Sequence, residues 1–334
     1  MIPKLMYRAI GTFAVSLMLI AGAHASPAYD AVYVFGDSLS DVGNDYIVSG
    51  GTRPAPPYSN GQFSNGPVWL QTLASDLGLP SLTPSLSLVD PGTNYAYGGA
   101  LSGSLTSAHI NYAATNTDLT GPTGQIYQFE TSHSIADPNA LYTIEIGGND
   151  IRKQMVNAPA GEQPALLGET VGNIDSAIQS LVRDGAKNFL VMYVADLGKA
   201  PEAFAAGDAA TRSSLASSLN GMLLTSLAQF AGTGASFTVF NTYDFFDQII
   251  GSPSTYGFTD VMDACYDATT GMVCPYPNED LFWDKIHPTA AGHALLGGAV
   301  YNALPSAVPL PAGVWLLISG LGALGLNARK RTGA

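Results

Sequence analysis

Four short apolar runs, set apart by amphipathic stretches, constrain this chain more than any other feature. They lie at residues 29–35, 140–146 (ALYTIEI), 188–194 (NFLVMYV) and 237–240. Each is rich in β-branched and aromatic residues, and apolar at consecutive rather than alternating positions, as expected of strands covered on both faces. Helical periodicities lie between them. Residues 67–77 carry Val68, Trp69, Leu73 and Leu77; residues 166–182 repeat apolar positions at three and four; residues 211–230 do so through Leu215, Leu219, Leu223 and Leu227. A last helix is expected over 287–301, with Pro288 in its first turn. Alternation of strand and helix predicts an α/β fold: a mostly parallel sheet, helices on both faces, and ligands at the carboxyl ends of the strands. Loops rich in Pro, Gly, Ser and Asn at 49–66 and 79–91 can shape a cleft there.

The two ends stand outside this pattern. Residues 1–25 place Lys4 and Arg8 ahead of an apolar run and close on Ala23-His24-Ala25. The segment resembles a secretory signal peptide cleaved after Ala25. Residues 308–334 open on VPLP, run apolar from Ala312 to Leu326 and end in Arg329, Lys330 and Arg331. This reads as a short membrane span with its basic cluster on the cytoplasmic side. It also resembles a bacterial C-terminal sorting signal of the PEP-CTERM type. These resemblances imply a Gram-negative bacterium, export to or beyond the cell envelope, and two partners, the export machinery and a membrane sorting protease. They leave one domain at 26–307.

The chain has 13 basic and 26 acidic residues, a formal charge of −13; without the two ends, which hold five basic residues and no acid, it is −18. Such a surface repels nucleic acid and anionic lipid headgroups, so nucleic-acid binding is set aside. Charged residues make up only 12% against 46% apolar, and the aromatic and β-branched content argues for a folded core despite 37 glycines. Cys265 and Cys274 suit one disulfide pinning a local loop. A lone pair lacks the further ligands of a structural zinc site.

Four stretches carry chemistry. Ser38 follows the first strand in GDSLSDVGN (36–44); it is either a turn residue or a nucleophile, and the G-x-S-x-G elbow does not fit because position 40 is Ser. In Asp284-Lys285-Ile286-His287, the carboxylate can hold the ring tautomer with Nδ1–H towards Asp284, leaving Nε2 to take a serine proton. The same four residues also suit a helix cap beside a surface histidine. In Gly147-Gly148-Asn149-Asp150, Asn149 is either an amide donor to an oxyanion or part of a plain turn. In NYAYGG (94–99), glycine lets the backbone approach a substrate and donate an N–H. Tyr58, Tyr95 and Tyr97 either line an acyl or aryl pocket or pack.

Together, GDSLSDVGN (36–44), NYAYGGA (94–100), GGND (147–150) and DKIH (284–287) resemble, in order, the blocks of the GDSL lipase/esterase family, the SGNH hydrolases. The resemblance implies a flavodoxin-like three-layer α/β/α domain. It implies Ser38 as nucleophile, His287 as base and Asp284 as its orienting acid. An oxyanion hole would be made by the Ser38 N–H, the N–H of Gly99 in preference to Gly98, and the Asn149 side chain. The substrate would be a small-molecule or lipid ester, with no metal and no cofactor. Lipase, phospholipase and polysaccharide deacetylase are not separated by these blocks.

Two other classes compete. Asp37, Asp41 and Asp45 recur every four residues, as hard-cation ligands of a phosphoesterase could; acids at a helix start explain them equally. A non-catalytic glycan-binding surface protein would have no use for Ser38, Asn149, Asp284 and His287 together. His293, six positions beyond His287 on the expected helix, is read as lying off its face.

Overall fold

A computed structural model describes residues 29–89, 91–103, 117–121 and 123–305. The signal-peptide and sorting-signal segments lie outside these residues. The expectation of a membrane span is overturned: among the described residues no helix is long and apolar enough to cross a membrane. The 312–326 stretch on which the span was placed also lies outside them, and its 15 residues fall short of the roughly 20 a bilayer requires.

Strands β1 (Val32–Gly36), β2 (Leu141–Glu145), β3 (Asn188–Met192) and β4 (Ser236–Phe240) pair in parallel in the order β1-β2-β3-β4. On the free side of β1 the chain around Asn94 adds a minimal parallel edge. There the Val34 N–H donates to the Thr93 carbonyl at 3.0 Å and the Tyr95 N–H to the Val34 carbonyl at 2.7 Å. Counting this edge second in chain order, the sheet reads 2-1-3-4-5, the flavodoxin-like order. It is an α/β sheet of the kind the alternation predicts.

The helices are α1 (Asn44–Val48), α2 (Trp69–Asp76), α3 (Gln125–Ser132), α4 (Gly148–Asp150), α5 (Gln163–Asp184), α6 (Pro201–Ala206), α7 (Ala209–Ser226), α8 (Thr242–Gly251) and α9 (Ala290–Ala303). They cover both faces because successive strand side chains point to opposite sides. Val32, Val34, Leu190 and Met192 pack with Trp69, Leu73, Phe246 and Leu296 of α2, α8 and α9. Phe35, Ile144, Phe189 and Val191 pack with Phe129, Ile178 and Leu219 of α3, α5 and α7. Each such buried side chain contributes roughly 1.5–3 kcal/mol of transfer free energy. Helices α2 and α9 come into backbone contact at Gly297, where an added Cβ would lie 2.5 Å from the Trp69 carbonyl oxygen.

One helix boundary differs from expectation. Helix α9 starts at Ala290, and the Thr289 hydroxyl caps it by accepting the Gly292 N–H. His287 therefore lies in the turn before the helix. The cause is Pro288, whose ring drives the preceding residue away from helical backbone. Short strands β5 (Asp260–Ala264) and β8 (Asp280–Phe282) pair in parallel, and β6 (Tyr266–Asp267) and β7 (Met272–Val273) form a hairpin. A Cys265–Cys274 disulfide closes that hairpin, with Cα atoms 4.7 Å apart. The N–H groups of Cys265 and Tyr266 donate to the carbonyls of Phe282 and Trp283 at 3.0 and 2.6 Å. The cross-linked loop is thus seated on the segment that leads into Asp284.

Candidate active site

The site forms where β1, β2 and the turn before α9 end together. Two residues past β1 the chain turns sharply: the Asp37 carbonyl accepts N–H groups from Ser40 and Asp41 at 3.1 and 2.9 Å, and its carboxylate accepts the Leu39 N–H at 3.1 Å. Ser38 stands at the apex, 8% exposed. Its Oγ lies 2.8 Å from His287 Nε2, and His287 Nδ1 lies 2.6 Å from Asp284 Oδ2. The other Asp284 oxygen accepts the N–H groups of Ile286 and His287, both at 2.8 Å. The Tyr58 hydroxyl donates to Asp284 Oδ2 at 2.7 Å. Burial alone would raise the Asp284 carboxyl, but His287, the Tyr58 hydroxyl and the Ile286 N–H outweigh it and hold it well below the ordinary carboxylate range. The acid is ionised and can keep the imidazole with Nδ1 protonated and Nε2 towards Ser38.

Three groups are available to an oxyanion. Among the described residues neither the Ser38 nor the Gly99 N–H has an acceptor. The Gly98 N–H, by contrast, is engaged by Asp41 Oδ2 at 2.9 Å. Asn149 stands at the start of α4, just past β2. Its Nδ2 donates to Asp37 Oδ2 at 3.2 Å and its Oδ1 accepts from Arg152 at 3.0 Å; one amide hydrogen is left over. Ser38, Asn149, Arg152, Ala195 and His287 line one cleft. Gly99 is not in that lining. It lines a second pocket, of which Phe63 is also a wall, and the Phe63 ring lies against His287 with centroids 5.3 Å apart.

Several expectations are resolved by contacts. Asp41 accepts N–H groups from Gly43, Asn44 and Asp45 at 2.7, 2.7 and 3.1 Å, and Asp45 is paired bidentately with Arg53 at 2.8 and 2.7 Å. Their oxygens thus order the turn into α1. Tyr95 and Tyr97 are core residues, 4% and 2% exposed. His293 is buried, its Nδ1 accepts the Trp69 N–H at 3.3 Å, and burial lowers it to about 3, so it stays neutral as a packing group.

Sequence reasoning missed the supports. Arg152 and Lys153 directly follow the GGND block, and that adjacency was the available signal. The sequence offers Tyr58 only as a pocket wall or packing group. Glu202 has no local signal at all. Glu145, at the end of β2, accepts from Ser40 Oγ at 3.0 Å; burial, then the charge of Asp37, pushes it well above the ordinary carboxyl range.

Known sequences point the same way. The family described as GDSL-like lipase/acylhydrolase matches residues 32–300. An uncharacterized protein from the trpE-trpG intergenic region of Pseudomonas putida is 29% identical over 319 residues, covering 88% of this chain and 52% of that protein, so the chain spans about half of that relative. The phosphatidylcholine-sterol acyltransferase of Aeromonas hydrophila is 28% identical over 327 residues, covering 84% of this chain and 91% of the relative. A GDSL esterase/lipase of Arabidopsis thaliana is 27% identical over 333 residues, with 86% and 91% covered. Matched across most of its length, the chain belongs to the GDSL-like lipase/acylhydrolase family and is a carboxylic ester hydrolase.

Proposed function

We propose that this protein is an exported esterase that works through an acyl-enzyme on Ser38. The observation that carries the reading is the unbroken relay from Ser38 Oγ through His287 to an ionised Asp284, at 2.8 and 2.6 Å. His287 Nε2 takes the Ser38 proton as Oγ attacks the ester carbonyl. The tetrahedral oxyanion is held by the N–H groups of Ser38 and Gly99 and by the Asn149 amide. His287 then gives its proton to the leaving alcohol. Water, deprotonated by the same imidazole, attacks the acyl-enzyme and releases the acid and free Ser38. The substrate is a small-molecule or lipid ester.

Export is supported by the signal-peptide pattern at 1–25 and by the Cys265–Cys274 disulfide, which persists in an oxidising compartment. The VPLP motif and basic tail at 308–334 support handling by a sorting protease.

The test is hydrolysis of p-nitrophenyl esters from acetyl to palmitoyl by the full chain, with a chelator and Ser38→Ala alongside. Chelator-resistant turnover that vanishes in Ser38→Ala supports the acyl-enzyme, and the chain-length optimum separates esterase from lipase. No turnover of any ester by a folded protein, or full turnover in Ser38→Ala, sinks the proposal.

A further inference from the structure

We infer that Arg152 and Lys153 are positioning residues for the oxyanion donors: two adjacent cations, leaving one π-helical turn (Ile151–Met155) in different directions, that each hold one donor residue by a carbonyl oxygen. The inference rests on the oxyanion roles proposed above for Asn149 and Gly99.

A carboxamide turns over about its last bond, and its two ends have opposite hydrogen-bonding sense. A reversed Asn149 would present Oδ1 to the point where negative charge develops, and repel it. Arg152 removes that freedom from one end, because a guanidinium N–H 3.0 Å from Oδ1 tolerates only an acceptor there, and Asp37 Oδ2, accepting from Nδ2 at 3.2 Å, holds the other end. The guanidinium is itself clamped: Nε and Nη2 both donate to Glu202 at 2.8 Å, a bidentate geometry. Glu202 also pairs with Arg212. Burial would raise Glu202, but the two arginines bring it down to about 2, so the clamp is charged. The Glu202 backbone N–H donates to the Lys285 carbonyl at 2.9 Å. One glutamate thus links Asn149, through Arg152, to the Asp284–His287 turn.

Lys153 serves the other donor. Successive side chains leave a helical turn in different directions, so the neighbour of Arg152 reaches a different wall. Its Nζ donates to the Gly99 carbonyl at 2.6 Å. Gly99 has φ of +77°, a left-handed conformation that only glycine adopts readily. The segment is gripped on both sides, by Asp41 on the Gly98 N–H and by Lys153 on the Gly99 carbonyl. Burial, then the charge of Arg152, lowers the Lys153 ammonium, although the residue as a whole is exposed. Donors fixed before the reaction need no reorganisation as charge develops.

The test uses full-length Arg152→Ala, Arg152→Lys and Lys153→Met. It measures kcat and KM on p-nitrophenyl acetate and the rate of Ser38 labelling by a p-nitrophenyl phosphonate. Arg152→Ala and Lys153→Met are expected to lower kcat and the labelling rate together by about 100-fold, with KM within about threefold of wild type. Arg152→Lys should recover part of the loss. A merely structural role would lower Tm and leave the kcat of the folded fraction unchanged. If Arg152→Ala fails to fold, Lys153→Met and Arg152→Lys carry the test. Both rates within about threefold of wild type in the folded variants overturn the inference. Asn149→Ala is the control: wild-type kcat there removes the oxyanion reading itself, whereas a loss there without a loss in the cation variants removes only this inference.

Discussion

The acid–base side of the site and its oxyanion side are built in opposite ways. The first is four consecutive residues, in which one carboxylate accepts from two N–H groups and the imidazole of its own turn. The second draws Ser38 from the end of β1, Gly99 from beyond the sheet edge, Asn149 from the end of β2, and Glu202 from α6. A short loop closes at little entropic cost, whereas each long-range contact depends on the sheet being in register. The turn is therefore close to self-sufficient, and the oxyanion side exists only as a product of the whole fold.

The largest expected effect breaks the turn. Asp284→Asn leaves His287 Nδ1 facing an amide that can hold the wrong tautomer, and kcat should fall about 10⁴-fold with the protein still folded. Steady-state kinetics on the preferred p-nitrophenyl ester decide this, and a loss under about tenfold would show that the turn is not the unit described. Next is the loop behind it. Replacing Cys265 and Cys274 by Ser frees a short closed loop and should cost about 2–3 kcal/mol of stability in urea unfolding. If the turn is self-sufficient, kcat of the folded fraction is unchanged; a fall in kcat would show that it leans on the cross-link.

A third measurement probes the packing of α9. Burial holds His293 at about 3 when folded, against the ordinary 6.5 of an imidazole. Below about 6.5 the unfolded chain takes up a proton that the native state refuses, so this stability is present above that pH and is lost as pH falls. Between pH 7 and 5 the His293 contribution should fall by about 2 kcal/mol, so wild type loses that much relative to His293→Gln. The difference between the two proteins is the readout, because Asp41 and Asp150, raised to about 6 by burial, act in the opposite sense. The smallest effect is that of Tyr58→Phe. It removes one hydrogen bond to the Asp284 carboxylate and should lower kcat by about tenfold or less, roughly 1 kcal/mol.

The same contrast explains what was legible in the sequence. The four paired strands lie within or beside their apolar runs, because burial on both faces writes itself into consecutive residues. Asp284 and His287 were legible as a pair because their contact is local. Asn149 and Gly99 were found through short glycine-bearing blocks, but their supports were not. Glu202 meets Arg152 across 50 positions, and Tyr58 meets Asp284 across 226. The edge around Asn94 has too few apolar residues to announce a strand. The start of α9 differs from the sequence expectation because Pro288, which suits a first helical turn, also drives His287 out of helical backbone.

The docking of α9 also sets an order in time. His287 lies 138 positions after Asn149 and three before α9 begins. That helix seats itself on α2 through Gly297 and His293. As the chain is made from its N-terminus, the proposed nucleophile and oxyanion donors are all made well before the proposed base. On the proposed mechanism a growing chain therefore carries an inert serine, and hydrolysis begins only once the turn has been made and α9 has closed behind it.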